Sequence, residues 1–421
     1  MSRNSATSSL FPWDGSLPSL SKVDCRPLHQ YVGFEPHIAA AALDDYAGLI
    51  NHNRGETSVS QDGYLNLVIH QPFGVVGAII PWNVPIIMFC SKVGAAVACG
   101  NTVVLKSSEK APLTSIKLAS LIQEAGFPPG VINVLAGFGV PAGKAIAEHM
   151  DIRKISFTGS GRTGRLIQEM SARSNLKNVT LELGGKTPAI IFDDADLSIA
   201  VPATQYSIQL NSGQICMANS RIYVHEKIAD QFKEEFKKVF TSAKIGDPLA
   251  KETNHGPQAD KVQFGIVTKY IETGKKEANL LVGGERHGDK GYFVRPTIFT
   301  DAPEDSTIVK QEIFGPVVVI NTFKTEDEVI AKANDSEYGL YASVFTKDID
   351  RAIRVMKALE SGTVSVNCAS PSGASGFPFG GYKASGVGRE GGLYSMKTFS
   401  ETKTVIIKVA DYAQSGTSVK V

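Results

Sequence analysis

The spacing of apolar residues divides the chain into segments of two kinds. From residue 102 onward, short runs of β-branched and aliphatic residues alternate with longer stretches whose apolar positions repeat at helical spacing. The predicted strands are 102–106, 131–135, 154–157, 179–183, 188–192 and 221–225, and the predicted helices are 112–125, 141–149, 163–172, 197–210 and 229–243. Strands that alternate with helices of this length predict an α/β fold with parallel sheets.

The two ends of the chain have a different pattern. Residues 1–36 are rich in Ser, Pro and Gly without sustained periodicity, which predicts a poorly ordered arm. Residues 38–51 have helical spacing, and residues 58–72 alternate around an Asp-Gly dipeptide, which predicts a β-hairpin. Residues 402–409 predict a strand for which the sequence offers no partner inside the monomer, so we expect it to pair with a neighbouring subunit.

Composition limits the class of protein. The chain has 421 residues, enough for two domains, and a net charge of +1, which gives no electrostatic basis for a nucleic-acid or membrane partner. The longest apolar stretch, 84–100, contains Lys92 and is shorter than the ~20 residues of a membrane span, so it predicts a buried helix. The five cysteines are scattered without a Cys-x-x-Cys pair. This favours reduced thiols in a cytoplasmic protein over disulfides or a metal site.

Two residues in this framework could carry covalent chemistry. Cys216, in the loop GQICMAN, is a candidate nucleophile, although most single cysteines are small buried hydrophobic residues. Glu182 lies in the apolar run VTLEL before two glycines, where burial would raise its pKa towards that of a general base. The alternative for Glu182 is a place on the exposed face of an edge strand.

A glycine-containing turn could bind a nucleotide. Gly159, Gly161 and Gly164 form a G-x-G-x-x-G pattern between a strand and a helix, which is typical of a diphosphate site at a helix N-terminus. A simple turn before a helix has the same pattern. Glu182 follows the last glycine at about the 20-residue distance of this fingerprint, so spacing alone would make it the ribose ligand.

Two further loops contain candidate residues. Lys106 and Glu109 follow a predicted strand, where open α/β sheets bind ligands, and they could contact ribose hydroxyls or form a solvated charge pair. Asn83 lies between two prolines in IIPWNVP. A rigidly held amide could stabilise an oxyanion, but Asn83 could equally cap the helix that follows.

Together these stretches resemble the aldehyde dehydrogenase superfamily. The motifs PWN, LKSSE, FTGS, LELGG, GQIC, QEIFGP and PFGGYKASGVGRE follow one another in the order of that family, and the resemblance covers about residues 46–409. It implies an α/β fold made of a Rossmann-like cofactor domain, a second α/β catalytic domain and a small β oligomerisation arm. The expected bounds are 37–57 and 73–184 for the NAD-binding domain, 185–398 for the catalytic domain, and 58–72 and 399–411 for the oligomerisation strands.

The resemblance implies NAD-dependent oxidation of an aldehyde to a carboxylic acid. Cys216 would add to the aldehyde carbon and carry first a thiohemiacetal and then a thioester. Asn83 and the backbone N–H of Cys216 would hold the oxyanion, and Glu182 would activate water for hydrolysis in place of its ribose role. Lys92 and Glu390 match positions linked to oxyanion placement and proton relay.

The cofactor site implied by the resemblance has three parts. Lys106 and Glu109 match the residues at the adenosine ribose, the turn Gly159 to Gly164 matches the one near the diphosphate, and Glu312 and Phe314 match those at the nicotinamide end. The full set is Pro81, Trp82, Lys106, Glu109, Gly159, Ser160, Gly161, Arg162, Thr163, Gly164, Leu183, Glu312 and Phe314. A carboxylate at Glu109 favours NAD over NADP because it would repel a 2′-phosphate.

The remaining expectations concern substrate and assembly. We expect a small-molecule aldehyde substrate, no metal, and a homodimer or homotetramer. The sequence does not define which aldehyde is oxidised. Two alternatives stay open: transfer of the acyl group to coenzyme A, and a non-catalytic or weakly active cofactor-binding remnant, because the N-terminal region is shorter than in the family.

Overall fold

The computed structural model describes residues 34–373 and 376–409. In chain order, the helices are α1 (Phe34–Leu49), α2 (Pro85–Ala98), α3 (Leu113–Glu124), α4 (Lys144–Glu148), α5 (Gly161–Ser174), α6 (Leu197–Gln209), α7 (Ala229–Thr241), α8 (Lys261–Glu277), α9 (Thr307–Lys310), α10 (Glu326–Asn334), α11 (Ile349–Ala358) and α12 (Gly392–Thr398). The strands are β1 (Glu56–Ser58), β2 (Tyr64–Pro72), β3 (Val75–Ile79), β4 (Thr102–Ser107), β5 (Ile132–Ala136), β6 (Ile152–Thr158), β7 (Asn178–Glu182), β8 (Pro188–Ile191), β9 (Arg221–His225), β10 (Asn279–Val282), β11 (Thr297–Thr300), β12 (Val317–Phe323), β13 (Tyr338–Gly339), β14 (Tyr341–Phe345), β15 (Thr363–Val366), β16 (Tyr382–Lys383), β17 (Gly386–Val387) and β18 (Ser400–Lys408).

Two sheets form the body of the molecule, and both are mostly parallel. The first has the order β17-β7-β6-β3-β4-β5, and the second has the order β10-β11-β12-β9-β8-β14-β15. Only β17 and β10 pair antiparallel with their neighbours in these sheets. All four residues of the central strand β8 are buried, as expected for a parallel strand covered on both faces. The α/β prediction is therefore confirmed.

The chain passes from the first sheet to the second between β7 and β8, which is where the sequence predicts a domain boundary. It later returns to the first sheet. β17 pairs with β7, and Met396 and Phe399 lie in the apolar core beside α2. Residues 386–398, which the sequence assigns to the catalytic domain, thus also contribute to the first sheet and its core. The domain bounds themselves stay a prediction.

The third sheet consists of β1, β2 and β18. The expected hairpin is present, but the expectation that the C-terminal strand lacks a partner inside the monomer is wrong. β18 pairs antiparallel with β2 along its whole length, from Ser400 opposite Pro72 to Lys408 opposite Tyr64. This pairing joins segments more than 300 residues apart, so local sequence pattern could not reveal it. Residues 410–411 of the predicted arm lie outside the described residues.

The predicted N-terminal arm, 1–36, lies almost entirely outside the described residues. Its last three residues are not an arm: α1 begins at Phe34, and Glu35 and Pro36 are buried. The prediction was wrong there because Glu35 accepts hydrogen bonds from the first turn of α2, which local composition does not encode. The buried helix predicted over 84–100 is α2, and no helix within the described ranges is long and apolar enough to cross a bilayer.

Candidate active site

The ends of neighbouring strands bring most of the candidate residues together. In the first sheet, β7, β6, β3 and β4 are adjacent and parallel, so their carboxyl ends lie side by side. Glu182 ends β7, the glycine turn follows β6, the loop with Asn83 follows β3, and Lys106 lies near the end of β4. Adjacent strands are about 4.8 Å apart, so four motifs that are far apart in sequence share one edge of the sheet.

Cys216 and Glu182 meet at this edge. Cys216 lies in the loop between α6 and β9, and its Sγ donates to Glu182 Oε1 over 3.8 Å. The residue Cys216 as a whole is partly exposed, whereas Glu182 is only 1% exposed on a strand with neighbours on both sides. The alternative of an exposed Glu182 on an edge strand is therefore wrong.

The electrostatics of Glu182 suit a base. Its pKa is raised to about 8, mainly by burial and also by the charge of Glu390, while Lys92 and a 3.5 Å hydrogen bond from Thr158 Oγ1 act in the opposite direction. A carboxyl group with this pKa takes up and releases protons near neutral pH. Its position beside the thiol, rather than its distance from the glycine turn, favours the base over the ribose ligand.

The Cys216 thiol is held in its protonated form. Burial raises its pKa well above the usual range, and the carboxylates of Glu182 and Glu312 add to this shift. Hydrogen bonds from the backbone N–H groups of Cys216 and Met217 act in the opposite direction. Because the thiolate is the reactive form, the thiol needs a base within reach, and Glu182 occupies that position.

Asn83 is fixed by the loop that leads to Cys216. Its side-chain Nδ2 donates to the backbone carbonyl of Gln214 over 3.0 Å. Its backbone carbonyl accepts from Asn211 Nδ2 over 3.2 Å. The residue that precedes α2 is Val84, so the alternative of Asn83 as the helix cap is wrong. One amide hydrogen of Asn83 is used by this contact, which leaves the other for a substrate oxygen.

Two glycines allow the close packing around these residues. A Cβ atom at Gly185 would lie 2.5 Å from the carbonyl oxygen of Cys216, and a Cβ atom at Gly184 would lie 2.1 Å from Glu312 Oε2. Any larger residue would push apart the segments that carry the nucleophile and Glu312. Steric crowding therefore explains why glycine occupies both Gly184 and Gly185.

Glu312 and Phe314 lie on the other side of the glycine pair. The backbone N–H of Gly185 donates to Glu312 Oε1 over 3.0 Å, and burial raises the pKa of Glu312 to about 7 despite this bond and the nearby Lys186. Phe314 has a positive φ of 55° and meets Trp82 edge-on, with ring centroids 5.5 Å apart. The structure thus brings Trp82 and Phe314 together, as expected from their shared assignment.

The glycine turn leads directly into α5. Ser160 is the N-cap, and its Oγ accepts from the backbone N–H of Thr163. Arg162 and Thr163 are exposed, so the N-terminus of α5 is accessible. A Cβ atom at Gly164 would lie 2.7 Å from Leu183 Cδ2, so this glycine lets the helix pack closely on the end of β7.

Lys106 and Glu109 form an ion pair with an N–O distance of 3.6 Å. Lys106 is only 4% exposed, so the alternative of a fully solvated charge pair is wrong for the lysine. The Glu109 side chain is 38% exposed. The pair thus presents a partly exposed carboxylate at the edge of the sheet.

Lys92 and Glu390 form a second buried cluster near Glu182. Lys92 Nζ contacts Glu390 Oε1 at 2.5 Å, and Ser156 Oγ contacts both of them at 2.9 and 2.7 Å. Sequence reasoning missed Ser156 and Thr158, although both alternate with the apolar Ile155 and Phe157 on β6. This alternation was the available signal, but it is equally typical of a strand with one solvated face.

Among the residues that the structure describes, no group of three or more potential ligands is arranged to hold a metal ion.

Comparison with known proteins gives a consistent picture. The chain matches the sequence pattern of the Aldehyde dehydrogenase family over residues 21–405. It is 48% identical to an aldehyde dehydrogenase of Agaricus bisporus, over 88% of this chain and 74% of that protein. It is 50% identical to the mitochondrial aldehyde dehydrogenase of Homo sapiens, over 86% of this chain and 70% of the relative.

A solved structure agrees with the sequence matches. The NAD+ complex of the aldehyde dehydrogenase from Bacillus cereus superposes with a TM-score of 0.92 at 45% identity, over 94% of this chain and 80% of that one. On these matches, the chain belongs to the aldehyde dehydrogenase family.

Proposed function

We propose that this protein oxidises an aldehyde to a carboxylic acid with NAD+ and that Cys216 is the nucleophile. The proposal rests on the 3.8 Å contact between Cys216 Sγ and Glu182 Oε1, beside the side-chain amide of Asn83, which a hydrogen bond to Gln214 holds in place. These three residues supply a nucleophile, a base and an oxyanion donor.

The first half of the reaction uses all three residues. Glu182 accepts the thiol proton, and Cys216 Sγ adds to the aldehyde carbon to form a thiohemiacetal. The free N–H of Asn83 and the backbone N–H of Cys216 hold the developing oxyanion. NAD+, when bound there, would supply the oxidant by accepting the hydride of the thiohemiacetal carbon, which would leave the acyl group on Cys216 as a thioester.

The second half depends on Glu182. After the thiol proton has passed from Glu182 to solvent, the carboxylate takes a proton from water, whose oxygen attacks the thioester carbonyl. The C–S bond then breaks, the carboxylic acid is released, and the Cys216 thiolate takes the proton back from Glu182. Because burial raises the pKa of Glu182 to about 8, the base is mostly protonated at lower pH. Hydrolysis therefore becomes faster as the pH rises towards 8.

The residues at the edge of the first sheet suit a dinucleotide. The exposed N-terminus of α5 offers backbone N–H groups to a diphosphate, and Lys106 and Glu109 offer a donor and an acceptor to ribose hydroxyls. Glu312, Phe314 and Trp82 would surround the nicotinamide end. The Glu109 carboxylate supports NAD over NADP because it repels a 2′-phosphate.

The test is Cys216→Ala, with Cys368→Ala as the matched control since Cys368 is also a partly exposed free thiol. We expect NADH formation from a panel of aliphatic and aromatic aldehydes to disappear in Cys216→Ala and to persist in Cys368→Ala. Equal turnover in both variants would contradict the proposal. Retained NAD+ binding without turnover in the unsubstituted protein would instead support the non-catalytic alternative.

Water is the proposed acyl acceptor because Glu182 lies beside the thioester position. Product analysis with and without coenzyme A tests this choice directly. A requirement for coenzyme A, with an acyl-coenzyme A product, would overturn it.

Assembly and location are part of the same proposal. The three-stranded sheet of β1, β2 and β18 supports a homodimer or homotetramer, because β18 exposes Ile406 and Ile407 and pairs with only one neighbour in the described chain. Light scattering that gives a monomer mass would contradict this. We place the protein in the cytoplasm, as for the cytosolic relative of Rattus norvegicus, and fractionation of the tagged full chain tests that placement.

A further inference from the structure

Helix α2 begins next to the proposed oxyanion loop and has no cap of its own. Its N-cap residue, Val84, makes no side-chain hydrogen bond, and its first residue is Pro85, which has no N–H. The next two backbone N–H groups, of Ile86 and Ile87, would be left without partners inside the helix. They need an acceptor from elsewhere in the chain.

Glu35 supplies that acceptor from α1. Its Oε1 accepts from the N–H of Ile86 over 2.8 Å and from the N–H of Ile87 over 3.3 Å. Glu35 is fully buried, so this is a desolvated carboxylate at the positive end of a helix. A negative charge is favourable there, and the hydrogen bonds that it accepts are charge-assisted and correspondingly strong.

The contact lies three residues from Asn83 along a stiff segment. Val84 and Pro85 alone separate Asn83 from Ile86, and proline fixes the backbone φ at one of these positions. Asn83 itself is attached on its other side to the loop of Cys216, through Gln214 and Asn211. The oxyanion loop is thus held from two directions, by the nucleophile loop and by Glu35.

We propose that Glu35 is a positioning residue for the reaction, which acts through Asn83 by fixing the start of α2. This inference rests on the proposed function, in which Asn83 is the oxyanion donor. An oxyanion donor must lie about 2.7–3.1 Å from the developing charge, and a displacement of about 1 Å reduces the rate strongly. Loss of the Glu35 contact would let the start of α2 shift and would move Asn83 away from that position.

The experiment measures the first turnover of the full chain. Variants Glu35→Ala, Glu35→Gln, Asn83→Ala and the double variant Glu35→Ala/Asn83→Ala are compared by pre-steady-state NADH formation, with thermal midpoints for each. Tyr46→Phe is the matched control. Tyr46 lies on α1, as Glu35 does. The substitution removes a buried 3.0 Å hydrogen bond from Tyr46 to Ser395 of α12 but leaves the start of α2 untouched.

The expected rates separate positioning from stability. Asn83→Ala should slow NADH formation about 10²–10³-fold, and Glu35→Ala should slow it about tenfold without changing the KM for NAD+. Glu35→Gln keeps an acceptor oxygen and should recover most of the rate. Tyr46→Phe should lower the thermal midpoint and leave the rate unchanged.

The double variant decides whether Glu35 acts through Asn83. If it does, Glu35→Ala/Asn83→Ala is no slower than Asn83→Ala alone, because the positioned group is already gone. The role of Glu35 would be overturned if the rate losses of the two single variants multiplied in the double variant. An unchanged rate in Glu35→Ala would overturn it too. Should Glu35→Ala fail to fold, Glu35→Asp takes its place, because its carboxylate is one methylene shorter and is withdrawn from the N–H groups of Ile86 and Ile87. An unchanged rate in Glu35→Asp would overturn the role of Glu35 as well. An unchanged rate in Asn83→Ala would overturn the oxyanion role itself, which is a failure of the proposed function.

Discussion

Glu182 and Glu390 are both buried carboxylates near the same sheet edge, yet their pKa values move in opposite directions. Burial raises the pKa of Glu182 to about 8. Burial also acts to raise the pKa of Glu390, but Lys92, Ser156 and Lys154 outweigh it and hold that pKa below its usual range. The difference lies in the partners: Glu390 contacts an ammonium and a hydroxyl, whereas Glu182 has only a thiol at 3.8 Å and a hydroxyl at 3.5 Å.

The comparison shows what distinguishes a structural carboxylate from a proposed base. Burial by itself makes a carboxyl group hold its proton, and a paired cation reverses that tendency. Glu390 is paired and stays charged, so it can stabilise Lys92 in the core. Glu182 is left without a cation in contact, so its proton can be exchanged near neutral pH. Three substitutions test this distinction.

The largest effect is expected for Glu182→Gln, which removes the proposed base. General-base catalysis contributes about 10²–10⁴-fold, so thioester hydrolysis should slow by that factor and acyl-enzyme should accumulate. Mass spectrometry of the quenched reaction measures the acyl-enzyme. Glu148→Gln, which also removes one carboxylate charge but lies in the exposed Lys144–Glu148 pair, is the matched control and should leave hydrolysis unchanged. Rapid steady turnover in Glu182→Gln would contradict the assignment.

The same substitution should change how the stability of the protein depends on pH. A carboxyl whose folded pKa is raised keeps its proton in the folded state while the unfolded chain loses it, so wild-type stability falls as the pH rises from about 4.5 to about 8. Glu182→Gln removes this loss. The urea midpoint of the variant should therefore rise relative to wild type across that window and stay level above it. A constant difference at all pH values would show that Glu182 is not protonated in the folded protein.

A smaller effect on the reaction but a clear effect on stability is expected for Lys92→Met. Removing one partner of a buried ion pair leaves the other charge uncompensated and costs about 3–5 kcal/mol of unfolding free energy. Denaturant titration measures this. Lys144→Met, at the exposed Lys144–Glu148 pair, is the matched control and should cost below about 1 kcal/mol. Adding Glu390→Gln to Lys92→Met should restore part of the loss, and equal losses at Lys92 and Lys144 would show that the buried pair is not coupled.

Sequence alone predicts much of the fold because apolar runs such as β8 are buried over their full length, and that burial is a local property of the sequence. It also predicts the candidate nucleophile and base, since the family motifs supply them. It fails where a contact joins distant segments. β18 finds its partner in β2, and Glu35 finds its partner in α2, across separations that no local pattern encodes.

The polar residues of β6 could be predicted from the sequence only in part. Lys154, Ser156 and Thr158 alternate with apolar residues, which is also the pattern of a strand with one solvated face. The register of β6 against β7 places them opposite Asn178, Thr180 and Glu182, so two polar rows share one face, which is exposed at Asn178 and buried at Thr180 and Glu182. Only the pairing of the two strands reveals that this face is internal and leads to the proposed base.

The smallest effect is expected for Thr158→Val, which keeps the shape of the side chain and removes the hydroxyl that donates to Glu182 Oε2 over 3.5 Å. That bond favours the charged carboxylate, so its loss should raise the pKa of Glu182 further. The midpoint of the hydrolysis rate against pH should move upward, by less than in Lys92→Met, because Lys92 lowers this pKa more than Thr158 does. The pH profile of acyl-enzyme decay measures both shifts. A midpoint that moves downward, or that moves only in Lys92→Met, would mean that the cations and not the hydroxyls tune this base.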